Sequence, residues 1–370
     1  MSTHPIVIVG GGIVGTSIAY YLRDADRPVV LYEKNQLGSG TTSDSISIFI
    51  HHQEHPTETE YQLRMRAWES FYEPLIEDGT LGFNQIGTLH TANTESGMAE
   101  VEGIATALDS YGVETDLLAP EDLGSFGITP DSVRGALYVP ADGAVDPTEI
   151  IQYFVEHATA GSVTVETGVS VTDVLTDEEG VMAVETSEGT VPASAVVNAA
   201  GPWASRINDM VGVSLPLRHT FGPILVLEKP PDLTLPLTFF EEGYYLCEES
   251  ETRAFAGKFA VEYQDAFEID PDHAHAIESD FYLAVEELTT NNVPALAESG
   301  IVNEWKGIRT ITPDYRPFVG ETAVDGYYVA CGMGGYGITR APIVGSVLAE
   351  IILGGESEEF GEYLSPDRMV

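Results

Sequence analysis

Gly10-Gly11-Gly12-Ile13-Val14-Gly15 follows the apolar run Pro5-Ile6-Val7-Ile8-Val9 and leads into apolar residues at helical spacing as far as Leu22. Strand, glycine turn and helix in that order predict a dinucleotide-binding unit. Gly10 permits the tight turn, Gly12 lets backbone approach a pyrophosphate, and Gly15 lets the helix lie close on the sheet. The helix N-terminus adds N–H groups and partial positive charge for phosphate oxygens. A second strand over 29–32 ends in Glu33, where an acid accepts both hydroxyls of an adenosine ribose and repels a ribose phosphate. NADP is therefore disfavoured. The turn does not distinguish FAD from NAD.

The chain has 370 residues, enough for two or so domains, and its 43% hydrophobic content fits a globular protein. No run approaches the roughly 20 apolar residues of a bilayer span. The first strand begins close to Met1, leaving no room for a signal peptide, so a cytoplasmic protein is expected. Asp and Glu number 59 against 16 Lys and Arg, a net charge of −43 and a pI near 4.2. Nucleic acid is an unsuitable partner for such a surface. At about 1 M salt the Debye length shrinks to about 3 Å and the self-repulsion is screened. With acids spread along the chain and Arg outnumbering Lys, this is the composition expected of a salt-adapted protein from a halophile. Cys247 and Cys331 are the only cysteines, which argues against a disulfide framework or a cysteine metal site. Both read as small buried residues.

Three regions have α/β character: the N-terminal unit, a helix over 147–160 leading to the apolar strand at 195–200, and a C-terminal part with a strand at 327–331 and a helix at 341–353. In the 147–160 helix, Ile150, Ile151, Phe154, Val155 and Ala158 form one apolar face. Between these regions lie β-like segments at 87–92, 224–227 and 244–257. Two domains follow, each assembled from discontinuous chain. A helix over 58–77 carries Tyr61, Met65, Trp68, Phe71, Tyr72 and Leu75 in a stripe expected to be core.

Two further glycine motifs extend the first. Asn198-Ala199-Ala200-Gly201-Pro202-Trp203 ends a buried strand in small residues, and Gly332-Met333-Gly334-Gly335-Tyr336-Gly337-Ile338-Thr339 joins a strand to a helix, aiming N–H groups at an electron-rich ligand. Three such approaches suit an extended cofactor. With these motifs, and with Trp-Lys-Gly-Ile-Arg-Thr-Ile-Thr-Pro-Asp-Tyr-Arg-Pro-Phe-Val-Gly at 305–320, the chain resembles over nearly its whole length the FAD-dependent D-amino-acid oxidase superfamily, in particular its glycine oxidase and sarcosine oxidase branch.

The resemblance implies an α/β fold: a Rossmann-like, glutathione-reductase-type FAD-binding domain (1–85, 145–215 and 305–370) plus an α+β substrate domain with a largely antiparallel sheet (86–144 and 216–304). It implies Gly10, Gly12, Ile13, Val14 and Gly15 around the pyrophosphate, Glu33 on the ribose with Lys34 beside it, and Val169 backbone at the adenine. It sets Ala200, Gly201 and Trp203 along the cofactor, and Gly334, Gly335, Tyr336, Gly337 and Ile338 at the pyrimidine end of the flavin. Residues 39–45, among them Thr41, Thr42 and Ser43, fall beside the isoalloxazine.

For the substrate, the resemblance implies that Arg309 pairs with an amino acid's carboxylate, which suits a planar guanidinium fork. It also implies non-covalent FAD, because Arg309 stands near the place where sarcosine oxidases have a flavin-bonding cysteine. Tyr245 matches a pocket tyrosine, and Lys258 falls near a lysine used to activate oxygen. A second pocket arginine of glycine oxidase is replaced by Gly335, which counts against glycine itself. His51 and His52 lie close enough in sequence to reach the flavin, with no metal-ligand spacing.

The expected reaction is oxidation of the C–N bond of a small amino acid or N-methyl amino acid by hydride transfer to FAD, giving an imine that hydrolyses. Oxygen or a separate electron acceptor would take the electrons. Alternatives left open are a 2-hydroxy acid or glycerol-3-phosphate dehydrogenase, and a non-catalytic FAD subunit of a larger complex.

Overall fold

A computed structural model describes residues 4–51, 57–259, 261–267, 269–355 and 360–369. The apolar run after the N-terminus becomes the strand Ile6–Val9, entirely buried near the middle of a six-stranded sheet. The sheet order is Phe318–Glu321, Tyr327–Cys331, Ala195–Asn198, Ile6–Val9, Val29–Glu33, Val163–Thr167. All neighbours are parallel except the first pair. Both faces are covered, which is why the strand sequence is apolar at every position. Ile6 and Ile8 pack with the helices Ile13–Tyr21, Pro147–Thr159 and Gly337–Ile352, whereas Val7 and Val9 pack with Val174 and Val184 of a small antiparallel sheet.

Gly10 has φ +109°, and a Cβ on Gly15 would stand 1.9 Å from the Gly10 carbonyl oxygen. Only glycine lets helix Ile13–Tyr21 start this close to the turn. The same helix crosses Gly337–Ile352 where a Cβ on Gly345 would lie 2.3 Å from Ser17 Oγ, and Ser17 Oγ donates to the Ala341 carbonyl at 2.8 Å.

The C-terminal helix begins at Gly337, four residues earlier than the sequence pattern suggests. Pro342 lies inside it and has no N–H for the Ile338 carbonyl four residues back. The Tyr72 hydroxyl donates to that carbonyl instead, at 2.5 Å. Tyr72 comes from the predicted 58–77 helix, which is α-helical over Glu58–Ala67, widens to a π turn at Trp68–Tyr72 and resumes at Glu73–Glu77. The wide turn leads into Pro74, which leaves the Ser70 carbonyl without its usual donor. Phe71 and Tyr72 are buried in the core, and the stripe takes no part in the cavity described below.

An eight-stranded sheet forms the second layer, in the order Ile301–Ile311, Arg218–Glu228, Arg253–Lys258, Tyr244–Ser250, Leu237–Phe240, Thr88–Ala92, Gly135–Val139, Asp116–Leu118. Its pairs are antiparallel except Leu237–Phe240 with Thr88–Ala92. The strand Ile301–Ile311 runs across position 305, where the sequence division set a boundary, and pairs along its length with Arg218–Glu228. Alternation sends Leu225, Leu246 and Ala256 outward onto helix Ser279–Asn292, and Ile224, Tyr245 and Leu237 inward toward the nucleotide-type sheet. Among the described residues no helix is long and apolar enough to cross a membrane.

Candidate active site

A cavity of about 530 Å³ lies between the two sheets, floored by the C-terminal ends of the parallel strands and roofed by the inward face of the antiparallel sheet. Glycine backbone is bare along the floor. A Cβ on Gly12 would meet only Thr42 Oγ1, at 3.4 Å. One on Gly201 (φ +54°) would meet nothing within 4 Å, and one on Gly334 (φ +66°) nothing nearer than 3.9 Å. The Thr42 hydroxyl accepts from Ile13 N–H and Thr41 donates to the Ile308 carbonyl, tying the 39–45 segment to both layers. Glu33 Oε2 accepts from Gly11 N–H at 2.7 Å and Oε1 from Asn35 N–H at 2.8 Å, which fixes the carboxylate at the end of its strand. Val169 lines the cavity, and its N–H is already bonded to the Glu33 carbonyl.

The loop after Cys331 is organised from beneath by residues the sequence reading did not single out. Arg340, fully buried, donates to the Met333 and Tyr315 carbonyls and pairs with Glu60, which also pairs with buried Arg64. Burial acts to raise the Glu60 carboxyl's pKa, and the two guanidinium groups outweigh it, leaving the pKa lowered. Both guanidinium groups lie against the Tyr336 ring, at 4.6 and 5.1 Å from its centre.

Arg309 Nη2 donates to the carbonyls of Phe221 at 2.9 Å and Lys258 at 2.7 Å. Its side chain occupies space that two glycines leave: a Cβ on Gly222 would be 3.0 Å from Nε, and one on Gly335 3.1 Å from Cδ. Tyr245 lines the cavity beside it, and burial pushes its phenol pKa up to about 12 against an opposing effect of Arg309. Asp44 also borders the cavity, its pKa raised by burial. Tyr315, at φ +59°, is a non-glycine residue in the left-handed region. Its hydroxyl donates to Glu262 at 2.5 Å and accepts from Tyr263 N–H, holding the strained turn from the outside.

Most residues expected at the site do line the cavity: Gly10, Gly12, Ile13, Val14, Glu33, Lys34, Thr41, Thr42, Val169, Ala200, Gly201, Trp203, Gly334 to Ile338, Tyr245 and Arg309. Gly15, Ser43 and Lys258 do not. Gly15 is spent on helix packing. Ser43 folds back onto its own loop, its hydroxyl on the Gly40 carbonyl. Lys258 is opposite Tyr244 in the register, one residue past the inward-facing pair Gly257 and Tyr245, so alternation turns its ammonium away toward the Tyr244 ring. His51 is held in a buried network, its ring and backbone N–H on Asp142, which also accepts from Thr88. His52 lies outside the described residues. Cys247 and Cys331 are both buried. No group of three or more potential metal ligands occurs among the described residues.

At the cavity's rim, Asp272 accepts from Lys34 Nζ at 3.0 Å, Trp203 Nε1 at 2.7 Å and the Arg206 guanidinium. These hydrogen bonds hold its carboxyl far below the usual carboxylate range. Lys34 also stacks on the Trp203 ring. These partners are distant in sequence, so no local signal marked Asp272 or Arg206.

The family model described as FAD dependent oxidoreductase (DAO) matches residues 5–351. The chain belongs to the DAO family of FAD-dependent oxidoreductases. A DAO relative, mitochondrial dimethylglycine dehydrogenase of Rattus norvegicus, is 32% identical over 95% of this chain, which spans 43% of that protein's length. The crystal structure of L-proline dehydrogenase from P. horikoshii superposes with a TM-score of 0.87 at 26% identity, covering 100% of this chain and 98% of that one. Glycine oxidase from Geobacillus kaustophilus gives 0.85 at 25% identity, with both chains fully covered. The α/β fold expected from the sequence is thus the DAO fold, and the extended glycine-lined floor between its two sheets fits the FAD on which the family depends.

Proposed function

We propose that this chain holds FAD without a covalent link along the glycine-lined floor and oxidises the C–N bond of an amino or N-methylamino acid whose carboxylate is bound by Arg309. The carrying observation is the Arg309 guanidinium, seated between Gly222 and Gly335 inside the cavity. Gly10, Gly12 and the start of helix Ile13–Tyr21 hold the pyrophosphate, Glu33 the ribose and Val169 the adenine. Ala200, Gly201 and Trp203 lie along the cofactor, and Gly334 to Ile338 meet the flavin. Bound FAD supplies hydride acceptance.

The protein supplies orientation and electrostatics. Arg309 fixes the carboxylate, so that the α C–H has one presentation. Tyr245, protonated at any working pH because burial raises its phenol to about 12, offers a hydroxyl without charge. Apolar walls exclude water and favour the neutral amine, the form that can lose hydride. The N–H groups of the 334–338 loop and the N-terminus of helix Gly337–Ile352 would favour negative charge on a group bound against them. The resulting imine hydrolyses in water. Similarity to the rat dimethylglycine dehydrogenase and to glycine oxidase, each named for an amino acid or an N-methylated one, supports this substrate class. The excess of 59 acids over 16 bases supports a salt-rich cytoplasm as the working medium.

Anaerobic mixing of the flavin-loaded chain with a panel of amino, N-methylamino and 2-hydroxy acids tests the reading. Flavin bleaching by amino acids is expected. Bleaching by hydroxy acids alone, or by none of the panel, contradicts it.

A further inference from the structure

Four strands of the antiparallel sheet set one row of residues across its inward face. Phe239 is opposite Tyr245, Tyr245 is opposite Gly257, and Gly257 is opposite Ile224. Directly opposed residues share a face. Gly257 leaves its place to the Tyr245 ring, which lies 2.2 Å from where a Cβ would be. Phe259 adds an edge-to-face contact with Phe239 at 4.9 Å and stacks on Tyr245 at 6.2 Å. Gly222, which holds the Arg309 side chain, is two residues from Ile224 on the same strand, about 7 Å along it and on the same face. A cationic anchor and an apolar aromatic wall therefore adjoin on one surface of one cavity.

The wall carries no charge. The Tyr245 phenol is kept neutral, and beside Phe239 on the next strand the stacked His90 ring, 4.7 Å away, is neutral too, burial bringing its pKa down to about 4. Glycine or sarcosine bound at Arg309 would leave this wall facing water, forfeiting the gain from burying apolar area. The loop position Gly335 puts no polar side chain in the way.

We propose that Ile224, Phe239, Tyr245 and Phe259 form a specificity wall selecting carboxylates that carry a bulky apolar group. The substrate class is an amino acid with an aromatic or branched substituent on its α-carbon or nitrogen. This rests on the reading of Arg309 as carboxylate anchor.

Unreactive carboxylates test the wall without turnover, through the perturbation of the bound flavin's absorption spectrum. Phenylacetate should bind the flavin-loaded chain at least about tenfold tighter than acetate. In Phe239→Ser that ratio should fall several-fold, and in Phe239→Leu, which keeps apolar bulk, it should fall less. Arg309→Lys should weaken both ligands alike. Equal affinities in the wild type, or a ratio indifferent to both Phe239 variants, overturn the wall while leaving the anchor standing. Phenylacetate binding untouched in Arg309→Lys overturns the anchor and the wall with it. For turnover, phenylalanine of either hand carries the ring on carbon and N-benzylglycine carries it on nitrogen. Faster anaerobic flavin reduction by one of them than by glycine and sarcosine supports the proposal, and the reverse order overturns it.

Discussion

Arg309 shows how far the setting of a candidate anchor is made by residues that have no side chain. Two of its guanidinium hydrogen bonds go to main-chain carbonyls and its stem fills the gap left by two glycines. A lysine retains the charge but loses the planar fork that grips two carboxylate oxygens at once. Arg309→Lys should therefore weaken substrate-carboxylate binding by about 10- to 100-fold, with bound FAD retained, as read from spectral titration and flavin content. The place of Arg309 at the cavity was legible in sequence because it sits in a recognisable motif. Gly222 was not, because its role depends on a register between strands far apart in sequence, in which it pairs with Gly307. Lys258 does not line the cavity for a related reason: one step along a strand reverses the face, and proximity to a motif does not give the parity.

At the scale of elements, the C-terminal helix was placed four residues short because Pro342 reads as a first-turn residue. The structure keeps Pro342 inside the helix by letting Tyr72 satisfy the freed Ile338 carbonyl, a long-range compensation absent from local sequence. Tyr72→Phe leaves that buried acceptor without its donor. It should cost about 1–3 kcal/mol, measured as a lower urea midpoint with unchanged slope. A second long-range tie is made by Asp272, which joins the 269–278 segment to Lys34, Trp203 and Arg206 at the cavity rim. Asp272→Asn should release bound FAD several-fold faster, followed by the rise of flavin fluorescence on dilution. The carboxyl's pKa is depressed, so the wild-type tie is in full force above the ordinary carboxylate range near pH ~4 and fades only as the pH drops well below it. The difference between wild type and variant should hold from neutral pH down to that range and shrink beneath it. By contrast, the strand–turn–helix start and the strand at Tyr327–Cys331 were legible outright, because apolar runs bounded by glycine leave little choice of structure.

For the whole molecule, a two-layer body carries a net charge of −43. Such self-repulsion opposes compaction and is screened by salt. The melting temperature should rise by many degrees between dilute buffer and molar salt, and a flat or falling profile would count against salt adaptation. Alternating patterns marked which segments are strands, but not the sheet that receives each segment. The 301–311 strand lies in the antiparallel sheet and carries Arg309 into the roof, while the loop that follows Cys331 brings Gly335 up from the floor. The candidate active site is the seam between those two layers, and the proposed function requires an elongated cofactor lying in it. The decisive test is titration of FAD into the flavin-free chain in concentrated salt: saturation is expected at one FAD per chain, with the flavin freed from the polypeptide on denaturation. No uptake of FAD, or flavin that stays attached to the denatured chain, would contradict it.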